Sequence, residues 1–305
     1  MKQLFLICAC ILPLLAGCSV SKGELAQKHL LWRVSDSNSS VYILGSVHFA
    51  DSSFYPLDSV IENAFDRSGE LAVELDVSDD SVLQEVALRS AMLGMLPDTA
   101  SLDKVVPADI VHSLDSLCVS WNLPVGFFNR YRPWAAAMTL TSVAILRMGF
   151  DANLGVDIHF LQRAAETGKG IVALETVEDQ VKALTGEGVH DSVGIFYLRT
   201  TLQEIGELDS SITMIMDAWK TGSDSVLAEA MEKESALRNA LDSLIEKEII
   251  ERVYTMRNRK MAEKITAFLT EDRNVFIVVG AAHLAGKDDN VLAILRRQGF
   301  TVEQL

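Results

Sequence analysis

The alternation of apolar and polar positions predicts strands at the two ends of this chain and helices between them. Leu30 to Val34 and Val41 to Leu44 are short apolar runs separated by Asp36-Ser37-Asn38-Ser39-Ser40, so the pair predicts a hairpin. Pro56 is placed to open a helix reaching about Arg67, and Glu70 to Asp76 then reads as an apolar strand. Strand, helix and strand in that order predict a parallel βαβ crossover. From Ser78 to about Leu269 helical patterns dominate, near 79–96, 107–121, 133–149, 155–168, 176–186, 189–209, 211–221, 223–234 and 236–270. One strand, Gly170 to Glu175, interrupts them. The end of the chain predicts strand, loop, helix and strand, with Gly299 closing the helix.

The two ends resemble one another. "VYILGSVH" and "FIVVGAAH" both run four apolar residues into Gly-x-x-His, and each precedes a helix and a strand. The expected fold is therefore α/β: a central sheet built from N- and C-terminal βα units carrying the paired motifs, with a large helical insertion at about 78–269.

Beyond the strands of a parallel sheet, side chains face the crevice where ligands bind. Gly45 and Gly280 let the backbone turn or approach a ligand closely, and they place His48 and His283 at that rim. Two imidazoles and a carboxylate make a common hydrolytic metal set. Glu74, inside an apolar strand pattern, supplies the carboxylate if it stands at the crevice end of an interior strand. If the strand is at an edge, Glu74 and Asp76 are solvated. Glu175 ends another apolar strand and is a further ligand or a general base. Thr176 is the better helix cap, and Glu178 and Asp157 fall in first turns, where the helix dipole explains acids. His29, His112, His159 and His190 have no spacing that suggests a site. The chain has no His-Glu-x-x-His, Gly-x-Ser-x-Gly, Walker, Gly-x-Gly-x-x-Gly or EF-hand pattern.

Composition narrows the class. The net charge of −15 over 305 residues disfavours nucleic acid and anionic lipid surfaces as partners. Residues 1–17 read as a signal peptide, with Lys2, the apolar run Leu4 to Leu15, and Leu15-Ala16-Gly17-Cys18 resembling a bacterial lipobox. The expectation is lipidation at Cys18, a tether over 18–27, a single domain over 28–305, and a lipid-anchored place in the bacterial cell envelope, at the outer membrane in a diderm cell because Ser19 follows the cysteine. Cys8 and Cys10 leave with the signal. Cys118 is then alone in a helical pattern, which excludes a disulfide framework and suits a core residue.

The blocks "LLWRV", "VYILGSVHFA", "FYPLDSVIENAFDRSGELAVELD", "RPWAAAMTL", "GVDIHFLQRAAETGKGIVALETVEDQ", "RNRKMAEKI" and "VFIVVGAAHLAGKDDNVLAILRRQGFTVEQL", in that order, resemble the TraB/PrgY/GumN family, which includes the Tiki membrane metalloproteases. The stretch 187–250 is matched by helical character alone. The resemblance implies a metal-dependent hydrolase, a peptidase acting on a peptide or protein. Metal ligands would be His48, Glu74 and His283, binding Mn, Co or Zn, and Glu175 would take a proton from a metal-activated water. It implies that Arg257 orients carboxylates or substrate, and that the helical insertion walls the crevice. Because the family is related to haem-binding lipoproteins, the alternative is a non-catalytic haem- or peptide-binding lipoprotein. A plain scaffold with structural histidines is the third reading.

Overall fold

The computed structural model describes residues 28–186, 191–232, 240–271, 273–286 and 288–305. The expected signal peptide and tether, with Cys18, and His190 lie outside them. Among the described residues six strands form one sheet: β1 (Leu31–Ser35), β2 (Ser40–Ser46), β3 (Glu70–Val73), β4 (Gly170–Ala173), β5 (Val275–Gly280) and β6 (Thr301–Gln304). Their order across the sheet is β4-β3-β5-β2-β1-β6. The predicted hairpin is β1–β2, antiparallel, with β6 antiparallel on the far side of β1. β2, β5, β3 and β4 run parallel.

The two Gly-x-x-His strands are direct neighbours. Gly45 pairs with Val279 and Ser46 with Gly280, a shift of one residue between the motifs. β5, Val-Phe-Ile-Val-Val-Gly, is buried at every position, as expected of a central parallel strand covered on both faces. Gly45 allows close packing here rather than an unusual turn: a Cβ would lie 3.2 Å from both Cα and Cβ of Ala281.

β3 lies between β4 and β5, which excludes the solvated-edge reading of Glu74. Its ladder ends at Val73, short of the predicted Asp76, because the chain bends at Glu74. The expected β2–helix–β3 crossover is present, with β5 inserted between β2 and β3. Its helix spans Ser59–Arg67 instead of opening at Pro56, since Asp58 is the cap and its side chain accepts the Val60 N–H. Of the helix predicted over 236–270, residues 236–239 lie outside the described residues, and the rest is helical as Ala240–Ile250, a π-turn at Glu251–Thr255, and Met256–Thr270.

The helices between β3 and β5 are tied to the sheet. Trp219, on the helix Leu208–Lys220, donates its indole N–H to the Gly45 carbonyl at 2.7 Å. A second hydrophobic cluster, which includes Leu102, Leu114, Phe128, Leu140 and the buried Cys118, packs these helices against one another. No described helix is long and apolar enough to cross a membrane.

Candidate functional site

At the carboxyl edge of the parallel strands, five elements deliver side chains to one place. His48 follows β2, Glu74 follows β3, Glu175 follows β4, and Gly280 and His283 close β5. The helix Met256–Thr270 adds Arg257 and Asn258 from its first turn, just after the π-turn. π-turns often mark functional sites because they displace the residues beside them from regular helix positions.

Arg257 is the hub. It is 4 % exposed, so it is no surface helix charge. Its Nε and Nη2 donate to the two oxygens of Glu175 at 2.8 and 2.6 Å, and Nη2 also donates to Glu74 Oε2 at 2.7 Å. Nη1 donates to the Val253 carbonyl at 3.2 Å. Burial disfavours its charge, but Glu74 and Glu175 more than compensate and keep the guanidinium ionised. Gln180 donates to the same Glu74 oxygen at 3.2 Å, leaving Oε1 to accept the Gly280 N–H at 2.6 Å. Burial pushes Glu74 up, and Arg257 overrides it to hold the carboxyl at about 2. Burial pushes Glu175 upward against the pull of Arg257.

The two imidazoles are fixed through their Nδ1 atoms. His283 Nδ1 lies 2.6 Å from Asn258 Oδ1, and Asn258 Nδ2 donates to the Asp289 carbonyl, which turns the amide oxygen toward the ring. His283 therefore donates from Nδ1 and presents the lone pair of Nε2, 3.8 Å from Glu74 Oε1. Burial, reinforced by Arg257, lowers its pKa to about 3, so the ring is neutral at pH 7. The charges holding Glu74 ionised at that pH are accordingly those of Arg257 first and His48 behind it, not that of His283. His48 Nδ1 lies 3.1 Å from Asp157 Oδ1. Burial works against the His48 cation, yet the charge and hydrogen bond of Asp157, with Glu74 behind them, raise it to about 9.

Gly280 shows how closely the three candidate ligands converge. A Cβ there would lie 3.2 Å from Glu74 Oε1, 3.4 Å from His48 Nε2 and 3.7 Å from His283 Cδ2. The bare glycine is the floor of a cradle that a methyl group would occupy. Among the described residues no three His, Cys, Asp or Glu side chains stand close enough to bind an ion as they are. The donor chemistry nevertheless fits one. Two imidazole Nε2 atoms and a carboxylate oxygen form a common set, with each Nδ1 held by an outer partner, as ligating histidines usually are. Two ligands about 2.1 Å from a tetrahedral ion stand roughly 3.4 Å apart, close to the His283–Glu74 separation.

The structure thus brings together His48, Glu74, His283, Gly280, Glu175 and Arg257, and Gly45 sits beneath them in packing. His159 lies elsewhere, with Nε2 3.0 Å from Glu62 Oε1. Thr176 caps its helix, and Glu178 pairs with Lys182 on the surface. Sequence reasoning missed Asp157, Asn258 and Gln180. Neither Asp157 nor Asn258 carries a local signal: the first lies in a helix first turn where the dipole accounts for an acid, and the second shows its use only once its helix is docked.

Residues 30–304 match the model of the TraB/PrgY/gumN family. An uncharacterized protein of Treponema pallidum (strain Nichols) is 21% identical over 309 residues, covering 96% of this chain and 90% of that protein. Uncharacterized protein YbaP of Escherichia coli (strain K12) is 23% identical over 164 residues, covering 52% of this chain and 59% of its own. A metalloprotease TIKI homolog of Amphimedon queenslandica is 23% identical over 341 residues, covering 97% of this chain and 65% of its own. The chain thus spans under two thirds of the last two. No solved structure matches it.

Replacing Arg257 by Met leaves two buried carboxylates facing each other without a cation, and urea denaturation should show a loss of about 3–5 kcal/mol. Arg257→Lys keeps the charge but not the planar fork, and should lose less. His48 has a folded pKa above its unfolded value, so its contribution to stability is complete below about pH 6.5 and is lost as pH rises toward 9. In metal-free protein, NMR titration of the His48 ring should give a midpoint near 9 in the wild type. In Asp157→Asn the midpoint should fall below the ordinary histidine value, and the loss of stability between pH 6.5 and 9 should disappear.

Proposed function

Because this chain belongs to the TraB/PrgY/gumN family, and one relative it resembles is named a metalloprotease, we propose that it is a metal-dependent hydrolase of peptide bonds. The observation that carries this reading is the convergence of His48 Nε2, Glu74 Oε1 and the His283 ring on the bare Gly280. His48, Glu74 and His283 would hold one divalent ion. A set of two imidazoles and one carboxylate suits Mn, Co or Zn. Bound there, the ion would supply a Lewis acid that polarises a carbonyl group and makes water a stronger acid.

The chain's own residues prepare that site. Asp157 and Asn258 fix the two rings, so that Nε2 of each faces the cradle. Arg257 and Gln180 hold Glu74 by Oε2, which keeps Oε1 over the Gly280 N–H. Both oxygens of Glu175 are engaged by Arg257. We therefore assign Glu175 to anchoring the guanidinium, in place of the proton-accepting role expected from sequence, and Arg257 to orienting carboxylates instead of contacting substrate. Access is from the His48 side: its side chain is 15% exposed, against 2% for His283. The sequence around Cys18 supports a lipid anchor in the bacterial envelope, which would bring envelope peptides or proteins within reach.

Metal content of the purified chain by mass spectrometry, after loading with Mn, Co or Zn, tests the reading beside cleavage of a peptide library. About one ion per chain is expected, lost in His48→Ala and in His283→Ala, with metal-dependent cleavage falling at least about 100-fold in either variant. No ion in the wild type, or an ion retained by both variants, would overturn it.

A further inference from the structure

Ser46 is the last residue of β2, 3% exposed, and its hydroxyl has no hydrogen-bond partner. Two other buried side-chain atoms among the described residues share that condition. Glu62 Oε2 faces the Arg163 guanidinium, and Thr185 is the last residue of the helix Val177–Thr185. Ser46 is the one at the carboxyl edge of β2 and β5. Buried hydroxyls are ordinarily paired, and an alanine would fill this place without an unmet donor.

The register says what the hydroxyl faces. Ser46 is the ladder partner of Gly280. Partners on neighbouring parallel strands, about 4.8 Å apart, project their side chains to the same face of the sheet. On that face the missing Gly280 side chain would meet Glu74 Oε1 and His48 Nε2. The Ser46 side chain therefore projects on the same face of the sheet as the cradle, with an unpaired donor.

We propose that Ser46 Oγ is a ligand-contacting group of this site, donating a hydrogen bond to a carbonyl or carboxylate oxygen seated over Gly280. The identity of that occupant as a peptide carbonyl rests on the hydrolase reading. The unpaired hydroxyl does not. A ligand oxygen there completes the hydrogen bonding of a buried group, so the site selects ligands that carry an acceptor and rejects apolar ones of equal shape.

Ser46→Ala and Ser46→Thr of the full chain test the proposal by two measurements. In metal-free protein, Ser46→Ala should raise Tm by about 2–4 °C, because it removes an unpaired buried hydroxyl. A fall in Tm would mean that the hydroxyl is paired in the free protein, and would overturn the proposal. In Mn-loaded protein, calorimetry with acetohydroxamate, a small ligand with a carbonyl-type oxygen, should show binding about 10-fold weaker in Ser46→Ala and restored in Ser46→Thr. Equal affinity in all three proteins would also overturn it. A wild type that takes up no manganese defeats the hydrolase reading, while the metal-free Tm comparison still decides whether Ser46 is unpaired.

Discussion

One guanidinium between two buried carboxylates organises this molecule's candidate site. Arg257 reaches Glu74 and Glu175, from adjacent strands, with three hydrogen bonds of 2.6–2.8 Å. Such a triad adds little net stability over a packed apolar core, since desolvating three ions costs about as much as their attraction returns. Its value is positional. With Oε2 of Glu74 taken by Arg257, Oε1 is turned onto the Gly280 N–H, and the carboxylate reaches the two histidines ionised.

The ends of the chain and its helical middle divide the work. The ends build every strand of the sheet but β4, and place Ser46 and Gly280 on neighbouring strands with His48 and His283 just beyond them. The middle does more than wall a crevice. It supplies Asp157 to one ring, Asn258 to the other, Gln180 and Arg257 to Glu74, and Trp219 to the Gly45 carbonyl. The imidazoles consequently differ although their motifs match. His48 faces a carboxylate and is held as a cation in metal-free protein, whereas His283 faces an amide and is held neutral.

The paired strands, the inserted helices, the two histidines and Glu74 were legible because each is a local signal: an apolar run, a glycine at its end, an acid where neighbours are apolar. Arg257 was legible through the resemblance. What escaped is non-local. Asp157 sits where the helix dipole alone accounts for an acid, and only its contact across to His48 shows a second use. Asn258 reads as a polar helix residue until the helix is docked. Glu175 follows β4 beside Glu74, but its partner could not be read from one strand, since the two carboxylates share a single guanidinium 82 residues further on from the second. The orphan state of Ser46 depends on every atom around it, which no window of sequence contains.

This arrangement turns two imidazoles and one carboxylate toward Gly280. Anomalous diffraction from crystals of the manganese-loaded protein, collected on both sides of the manganese edge, tests it most directly. One strong peak is expected about 2.1–2.2 Å from His48 Nε2, His283 Nε2 and a Glu74 oxygen, with Arg257 still bound to Glu175. A peak at other residues, or a Glu74 that remains turned to Arg257 and Gly280 with no ion beside it, would contradict it.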